Sequence, residues 1–183
     1  MTLSNQQARD ILHQAELIVA ADEVQAAVAR VAREINTALA DAHPLVLSVM
    51  GGAVVFTGQL LPLLAFPLDF DYVHVSRYGN NQQGGALHWK VEPRENVRGK
   101  LVLVLDDILD EGETMAAIRQ RVMDLGAVGF YSAVFADKLN GKVKTIRADF
   151  VGVEVPNRFV FGFGMDAHGA WRNLPAIYAV KET

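Results

Sequence analysis

Cysteine is absent from all 183 residues, which excludes a disulfide scaffold and a Cys-ligated zinc site. Basic residues are in the minority: 17 Lys and Arg against 21 Asp and Glu leave a net charge of −4. A nucleic-acid partner normally needs a basic face or stripe, so the balance argues against one. Long apolar runs are missing too. The stretch Leu60-Leu61-Pro62-Leu63-Leu64-Ala65-Phe66 falls well short of the ~20 residues a membrane-spanning helix needs, so no membrane partner is expected. The opening residues, Met1-Thr2-Leu3-Ser4-Asn5-Gln6-Gln7, have neither the basic nor the apolar region of a signal peptide, and a cytoplasmic protein is the expectation. Two nucleotide signatures do not occur, the Gly-x4-Gly-Lys-Ser/Thr of P-loops and the Gly-x-Gly-x-x-Gly of dinucleotide folds. What remains is an ordinary globular composition, 51% apolar and 21% charged, long enough for one domain, 1–183, with a sizeable core.

The rest of the chain is organised around Leu101-Val102-Leu103-Val104-Leu105-Asp106-Asp107-Ile108-Leu109-Asp110-Glu111-Gly112-Glu113-Thr114. Five apolar residues in a row, too short for an ordinary helix, predict a parallel strand buried on both faces and stopping at the carboxylates. Helical spacing resumes at Met115. A strand, a glycine turn and a helix N-terminus together aim backbone N–H groups and a positive dipole end at one point, which suits a phosphate.

Upstream, residues 5–20 have mixed helical spacing, and Val24, Val28, Val31, Ile35 and Leu39 recur on one face of a helix that Asp22 can cap. Residues 45–50 predict a strand running into Gly51-Gly52 and an apolar helix from Ala53 to Leu64. On the residues alone, that glycine pair serves either a second anion site or close helix–strand packing. Residues 68–78 alternate like a strand and 84–91 like its antiparallel return, with a polar, Gly-flanked loop between. Residues 128–136 predict another buried strand ending at Asp137-Lys138, and ligands of open α/β sheets bind at such strand ends. Taken alone, Lys138 reads as a solvated lysine, Phe159 as a core aromatic and Arg172 as a surface helix residue.

The run from Val104 to Thr114 closely resembles the ribose-phosphate signature of the type I phosphoribosyltransferases, which use phosphoribosyl pyrophosphate (PRPP), and further matches point to the hypoxanthine-guanine branch. The resemblance covers residues 45–178. It implies an α/β fold with a mostly parallel central sheet flanked by helices, a small hood mainly from 155–183, and a mobile lid at about 76–88 that includes Tyr78. It implies PRPP and phosphate binding by Val49, Met50, Gly51, Asp106, Asp107, Asp110, Glu111, Gly112, Glu113, Thr114 and Arg172. Purine binding falls to Lys138, Phe159, Val160 and Asp166, with Asp110 as the general acid/base at the purine N7. Three clustered carboxylates, Asp106, Asp107 and Asp110, repel one another unless a cation is present. Magnesium is the cofactor implied, beside Asp106, Asp107 and Asp166.

The implied reaction is purine salvage, hypoxanthine or guanine plus PRPP giving IMP or GMP and pyrophosphate, in a homodimer or homotetramer. A PRPP-sensing regulator on the same fold is the alternative, for which the chain shows neither a DNA-binding domain nor a basic face. The family's Leu-Lys-Gly-Gly loop, whose first peptide bond can be cis, appears here as Val49-Met50-Gly51-Gly52, with Met for Lys. Glu111 and Glu113 stand where Thr or Ser and Lys are usual, and Arg77 where Ser is usual in the lid. With Glu111 pointing outward, the backbone cradle of residues 111–114 stays intact.

Overall fold

In the computed structural model of the chain, which describes residues 3–77 and 87–181, the apolar run becomes the first part of a longer strand, β5 (Leu101–Leu109). Its parallel neighbours are β2 (Leu45–Met50) and β6 (Gly129–Leu139). Next to these lie β3 (Asp69–Arg77) and β7 (Phe150–Pro156), also parallel, and the edge strand β4 (Leu87–Val91) runs antiparallel to β3. The sheet order is β4-β3-β2-β5-β6-β7. Leaving β2, the chain passes outward to β3, then crosses back to β5 on the other side. The C-terminal ends of β2 and β5 therefore flank the crevice where open α/β sheets bind ligands.

Alternation along β5 sends Leu103 and Leu105 to one face and Val102 and Val104 to the other, and both pairs are fully buried. Helices α2 (Ala21–Ala38) and α3 (Val54–Leu60) cover the first face, and α4 (Glu113–Asp124) the second. On the first face Phe135 packs its ring 5.6 Å from Phe56 of α3 and 4.2 Å from Phe163. A smaller sheet joins that core: β1 (Glu16–Val19), β9 (Ile177–Ala179) and β8 (Val160–Phe161), all antiparallel. Among the described residues no helix is long and apolar enough to cross a membrane.

Several element bounds differ from the sequence expectation. Helical spacing at 5–20 resolves into α1 (Asn5–Gln14) and strand β1. Ser4 and Gln7 close a reciprocal cap on α1, yet no residue of that helix is buried, whereas 16–19 find a partner strand in β9. Helix α2 starts at Ala21, one residue before the expected cap Asp22; the Glu23 carboxylate accepts the Ala20 N–H at 2.8 Å. Helix α3 ends at Leu60 and passes into a 3-10 turn, Leu61–Leu63, where Pro62 lacks the N–H a longer helix would use. Strand β5 does not stop at Asp106, because β6 runs beside it as far as Leu109↔Asp137 and satisfies its backbone. Strand β6 likewise continues past 136 and includes Asp137 and Lys138, because β7 pairs with both, Asp137↔Glu154 and Lys138↔Val155. Tyr78 and most of the expected lid lie outside the described residues.

Phe135 joins sheet, helix and small-sheet segment, so its truncation leaves a cavity that three elements must fill. Phe135→Ala is expected to lose about 3–5 kcal/mol of unfolding free energy, measured by urea denaturation; a loss near 1 kcal/mol or less would contradict this central place in the core.

Candidate active site

A cleft of about 530 Å³ opens over the C-terminal ends of β2, β3 and β5. Eleven of the residues expected in a site share its walls: Val49, Met50 and Gly51 from the loop after β2, Asp106, Asp107, Asp110, Glu111, Gly112 and Thr114 from the end of β5 and the start of α4, and Asp166 and Arg172 from the C-terminal segment. The local reasons are readable. Gly112, the N-cap of α4, has φ +83, a conformation glycine adopts without penalty, and a Cβ there would come 3.1 Å from the backbone N and O of Ile146. Helix α4 thus begins at Glu113, two residues before the apolar spacing, and points its N-terminal amides and dipole into the cleft.

The glycine loop after β2 is close-packed on both sides. A Cβ on Gly52 would overlap the Asp107 carboxylate, and one on Gly164 would overlap the carbonyl oxygen of Gly52. Packing and a ligand-facing loop, alternatives on the residues alone, coexist here. The cis peptide bond lies between Met50 and Gly51, one residue beyond the Val49–Met50 bond where the resemblance puts it.

Asp106 and Asp107 dominate the electrostatics. Burial, then the neighbouring charge of Asp107, pushes the Asp106 carboxyl well above the ordinary range. Burial also pushes Asp107 up, against hydrogen bonds from Asp106 and the Ile108 N–H and the charge of Arg172. Each accepts the N–H of the following residue, Asp107 N to Asp106 Oδ1 at 2.9 Å and Ile108 N to Asp107 Oδ1 at 2.8 Å. Asp110 goes the other way. Burial alone would raise its carboxyl, but the hydrogen bond and charge of Lys138, with help from Asn140 and Lys144, hold it below the ordinary range. Lys138 Nζ lies 3.0 Å from Asp110 Oδ2, its side chain only 16% exposed.

The expected cluster of three carboxylates is therefore divided: Asp110 is paired with Lys138, and only Asp106 and Asp107 are left without a cation in contact. Asp166 accepts from Arg172 Nη2 at 2.5 Å through Oδ1 and from the Gly169 N–H at 2.6 Å through Oδ2. Among the described residues no three His, Cys, Asp or Glu side chains converge as a ready metal-ligand set. Magnesium does not require one, since one or two carboxylates plus substrate phosphates and waters suffice. Buried oxygen donors with raised proton affinity fit such a cation, and Asp106 and Asp107 are the residues that could hold it.

The other expected residues stand apart. Glu113 begins α4 outside the cleft wall. Phe159 is 49% exposed and stacks on His168, ring centroids 5.7 Å apart at 15°; the core reading fails because its strand neighbour Val160 takes the inward place. Arg172, no helix residue, donates to the Gly164 carbonyl at 2.6 Å besides pairing with Asp166. Glu111 turns to Lys142, 2.6 Å away. Sequence reasoning missed His74 and Ser76, which line the cleft at the end of β3; their only signal is the strand alternation of 68–78. It also missed Asn140, Lys142 and Lys144, a polar segment without motif.

Because Asp106 binds its proton more tightly folded than unfolded, its contribution to stability is full below the ordinary carboxylate pKa of ~3.9 and is lost as pH rises through the folded-state value. Asp106→Asn removes that loss. Without divalent cations, the Tm of the variant is expected to exceed that of the wild type by a margin that widens from acid to neutral pH; a constant or shrinking margin in calorimetric scans would contradict the burial argument.

Comparison with known proteins places this geometry. Residues 15–168 match the family described as phosphoribosyl transferase domain. The chain is 31% identical over 167 residues to the hypoxanthine-guanine phosphoribosyltransferase of Bacillus subtilis, a match covering 91% of this chain and 93% of the relative. It is 32% identical over 163 residues to the hypoxanthine-guanine-xanthine phosphoribosyltransferase of Tritrichomonas foetus, covering 88% and 89%. The solved hypoxanthine phosphoribosyltransferase of Trypanosoma cruzi, a ternary substrates complex, superposes with a TM-score of 0.83 at 27% identity, covering 92% of this chain and 97% of that one. With kin of this identity along nine-tenths of its length and a family match that takes in the whole parallel sheet, the chain belongs to the phosphoribosyltransferase family.

Proposed function

We propose that the chain transfers the 5-phosphoribosyl group of PRPP to hypoxanthine and guanine, giving IMP or GMP and pyrophosphate. The observation that carries the choice of base is the pair Lys138–Asp110 beside the cleft. A lysine ammonium is a donor without an acceptor, so it meets the 6-oxo group of these purines and opposes the 6-amino group of adenine. An ionised Asp110 accepts from the purine N7. The relatives named above for hypoxanthine and guanine support the reading.

The 5′-phosphate takes the N-terminus of α4, where amides of residues 111–114 and the Thr114 hydroxyl donate. Glu111, drawn to Lys142, leaves that cradle to the backbone. The leaving pyrophosphate meets the Met50-Gly51 loop after Val49, and Arg172 supplies a planar fork. Asp106 and Asp107 accept from the ribose hydroxyls or from cation-bound water. The family is generally dependent on Mg2+; Asp106 and Asp107, with Asp166 from the C-terminal segment, would hold the ion, which when bound would supply charge neutralisation for the departing anion. Phe159 offers a ring face to the base, and the small sheet, through Val160, offers backbone groups to its edge and forms the hood. A purine nitrogen bonds C1 of the ribose as the C1–O bond to pyrophosphate breaks, and Asp110 takes the N7 proton. Assembly into a homodimer or homotetramer belongs to the same reading; Phe70 and Tyr72, large and exposed on β3, supply apolar surface for it.

Phosphate binding should rest on the turn backbone. Gly112→Val forces a strained conformation worth about 1–3 kcal/mol against Ile146, and calorimetry is expected to show the PRPP Kd raised about tenfold or more; unchanged affinity would remove the cradle. For the base, kcat/KM should favour hypoxanthine and guanine over adenine by roughly 10⁴–10⁵, because the lysine is otherwise left unpaired. Lys138→Met should depress the first two strongly and leave adenine poor. Comparable adenine turnover in the wild type would sink the assignment.

A further inference from the structure

The turn bearing Asp110 is held from outside by the segment that follows β6. Asn140 Nδ2 donates to Asp110 Oδ1 at 3.2 Å and to the Asp110 carbonyl oxygen at 3.1 Å. Its own Oδ1 accepts the Lys142 N–H at 3.0 Å. A backbone N–H can only donate, so the Asn140 amide has one orientation, with its NH2 toward Asp110. The same segment secures both neighbours of this residue. Lys144 Nζ donates to the Leu109 carbonyl at 2.7 Å and pairs with Asp137, and the Thr145 N–H donates to the Glu111 carbonyl at 3.1 Å.

Lys138 donates to Asp110 Oδ2. A 6-oxopurine makes two demands on that pair at once: the ammonium must turn to the oxo group, and a carboxylate oxygen must face N7. On leaving, Lys138 takes with it the strongest opposition to the burial of Asp110. Asn140 grips the other oxygen and has no reason to let go. We propose that Asn140 is a positioning residue for the transfer reaction, keeping the Asp110 carboxylate aimed through Oδ1 while Lys138 passes from Oδ2 to the base. This rests on Asp110 as the acid/base. The proton from N7 then lands on Oδ2, and no other bond changes at this residue. The charged groups facing Asp110 are Lys138 from β6, Lys142 and Lys144 from the following segment, and Glu111 beside it on the turn. Of the two hydrogen-bond donors to its carboxylate, only Asn140 carries no charge and competes for no part of the purine.

Two substitutions separate aiming from mere scaffolding. Asn140→Ala removes both functions of the side chain. Asn140→Asp keeps the acceptor for the Lys142 N–H, and with it the local turn, but sets a carboxylate where a donor stood. The expected result is a kcat lowered about 10–100-fold in Asn140→Ala, as for a lost hydrogen bond to a charged group, and at least as much in Asn140→Asp. In both, the acid limb of the kcat profile moves to higher pH and the PRPP Kd stays at the wild-type value. If Asn140→Asp keeps wild-type kcat and pH profile, the side chain only shapes the turn and the proposal is overturned; that variant decides even where Asn140→Ala fails to fold. Asp110→Asn is measured alongside. Wild-type turnover there removes Asp110 as acid/base and this inference with it, whereas slow Asp110→Asn with unimpaired Asn140 variants removes this inference alone.

Discussion

Two adjacent carboxylates held away from water at the end of the central strand are the constraint on which the rest depends. Burial raises the cost of ionising both Asp106 and Asp107, and the charge of Asp107 raises it further for Asp106. Apolar residues in their place would suit the strand better, and the role proposed for the pair, toward a cation or the hydroxyls of a sugar, answers that cost. The surroundings moderate the cost. The strand's own amides donate to both side chains, and Arg172 from the C-terminal segment contributes charge to one. Parallel pairing with β6, which continues past both residues to Leu109, holds the backbone there.

The remaining charges are arranged so that this stress stays local. Asp110, Glu111 and Asp166 each have a basic partner in contact, Lys138, Lys142 and Arg172 respectively. The cleft thus sorts its acids into those already satisfied and those waiting for a ligand. In the proposed reading a negatively charged substrate meets a cation at the unpaired acids, and its phosphate end meets chiefly backbone N–H groups, which carry no charge to be matched.

Much of this was legible in the chain. The doubly apolar run of β5, the Asp-x-Gly-x-Thr turn and the glycine pair after β2 each owe their form to local chemistry, so strand, turn and helix could be placed on the residues alone, whereas the eleven residues that line one cleft were gathered by the resemblance. What was not legible depends on partners distant in sequence. Residues 16–19 look helical by spacing and become a strand because β9 offers them an edge. Asp137 and Lys138 appear to follow a strand and lie within it because β7 runs alongside both. Phe159 looks like core until its neighbour Val160 takes the buried position. Asn140 and Lys144 carry no pattern at all, since a polar residue that acts on a neighbouring turn leaves no periodicity behind.

The pairing of β1 with β9, Glu16 opposite Ala179, has a consequence for the order in which the protein can form. Helix α2 shares one hydrophobic cluster with Val160, Phe163, Ile177 and Ala179, all far along the sequence. Until those residues dock, Val19 lacks part of its cover and β1 has no strand beside it. The contacts that close the molecule are among its longest in sequence, the kind that form late and slowly. A chain in which α2 has formed before β9 docks therefore leaves Val19 partly uncovered, and a three-residue strand helps to end that exposure.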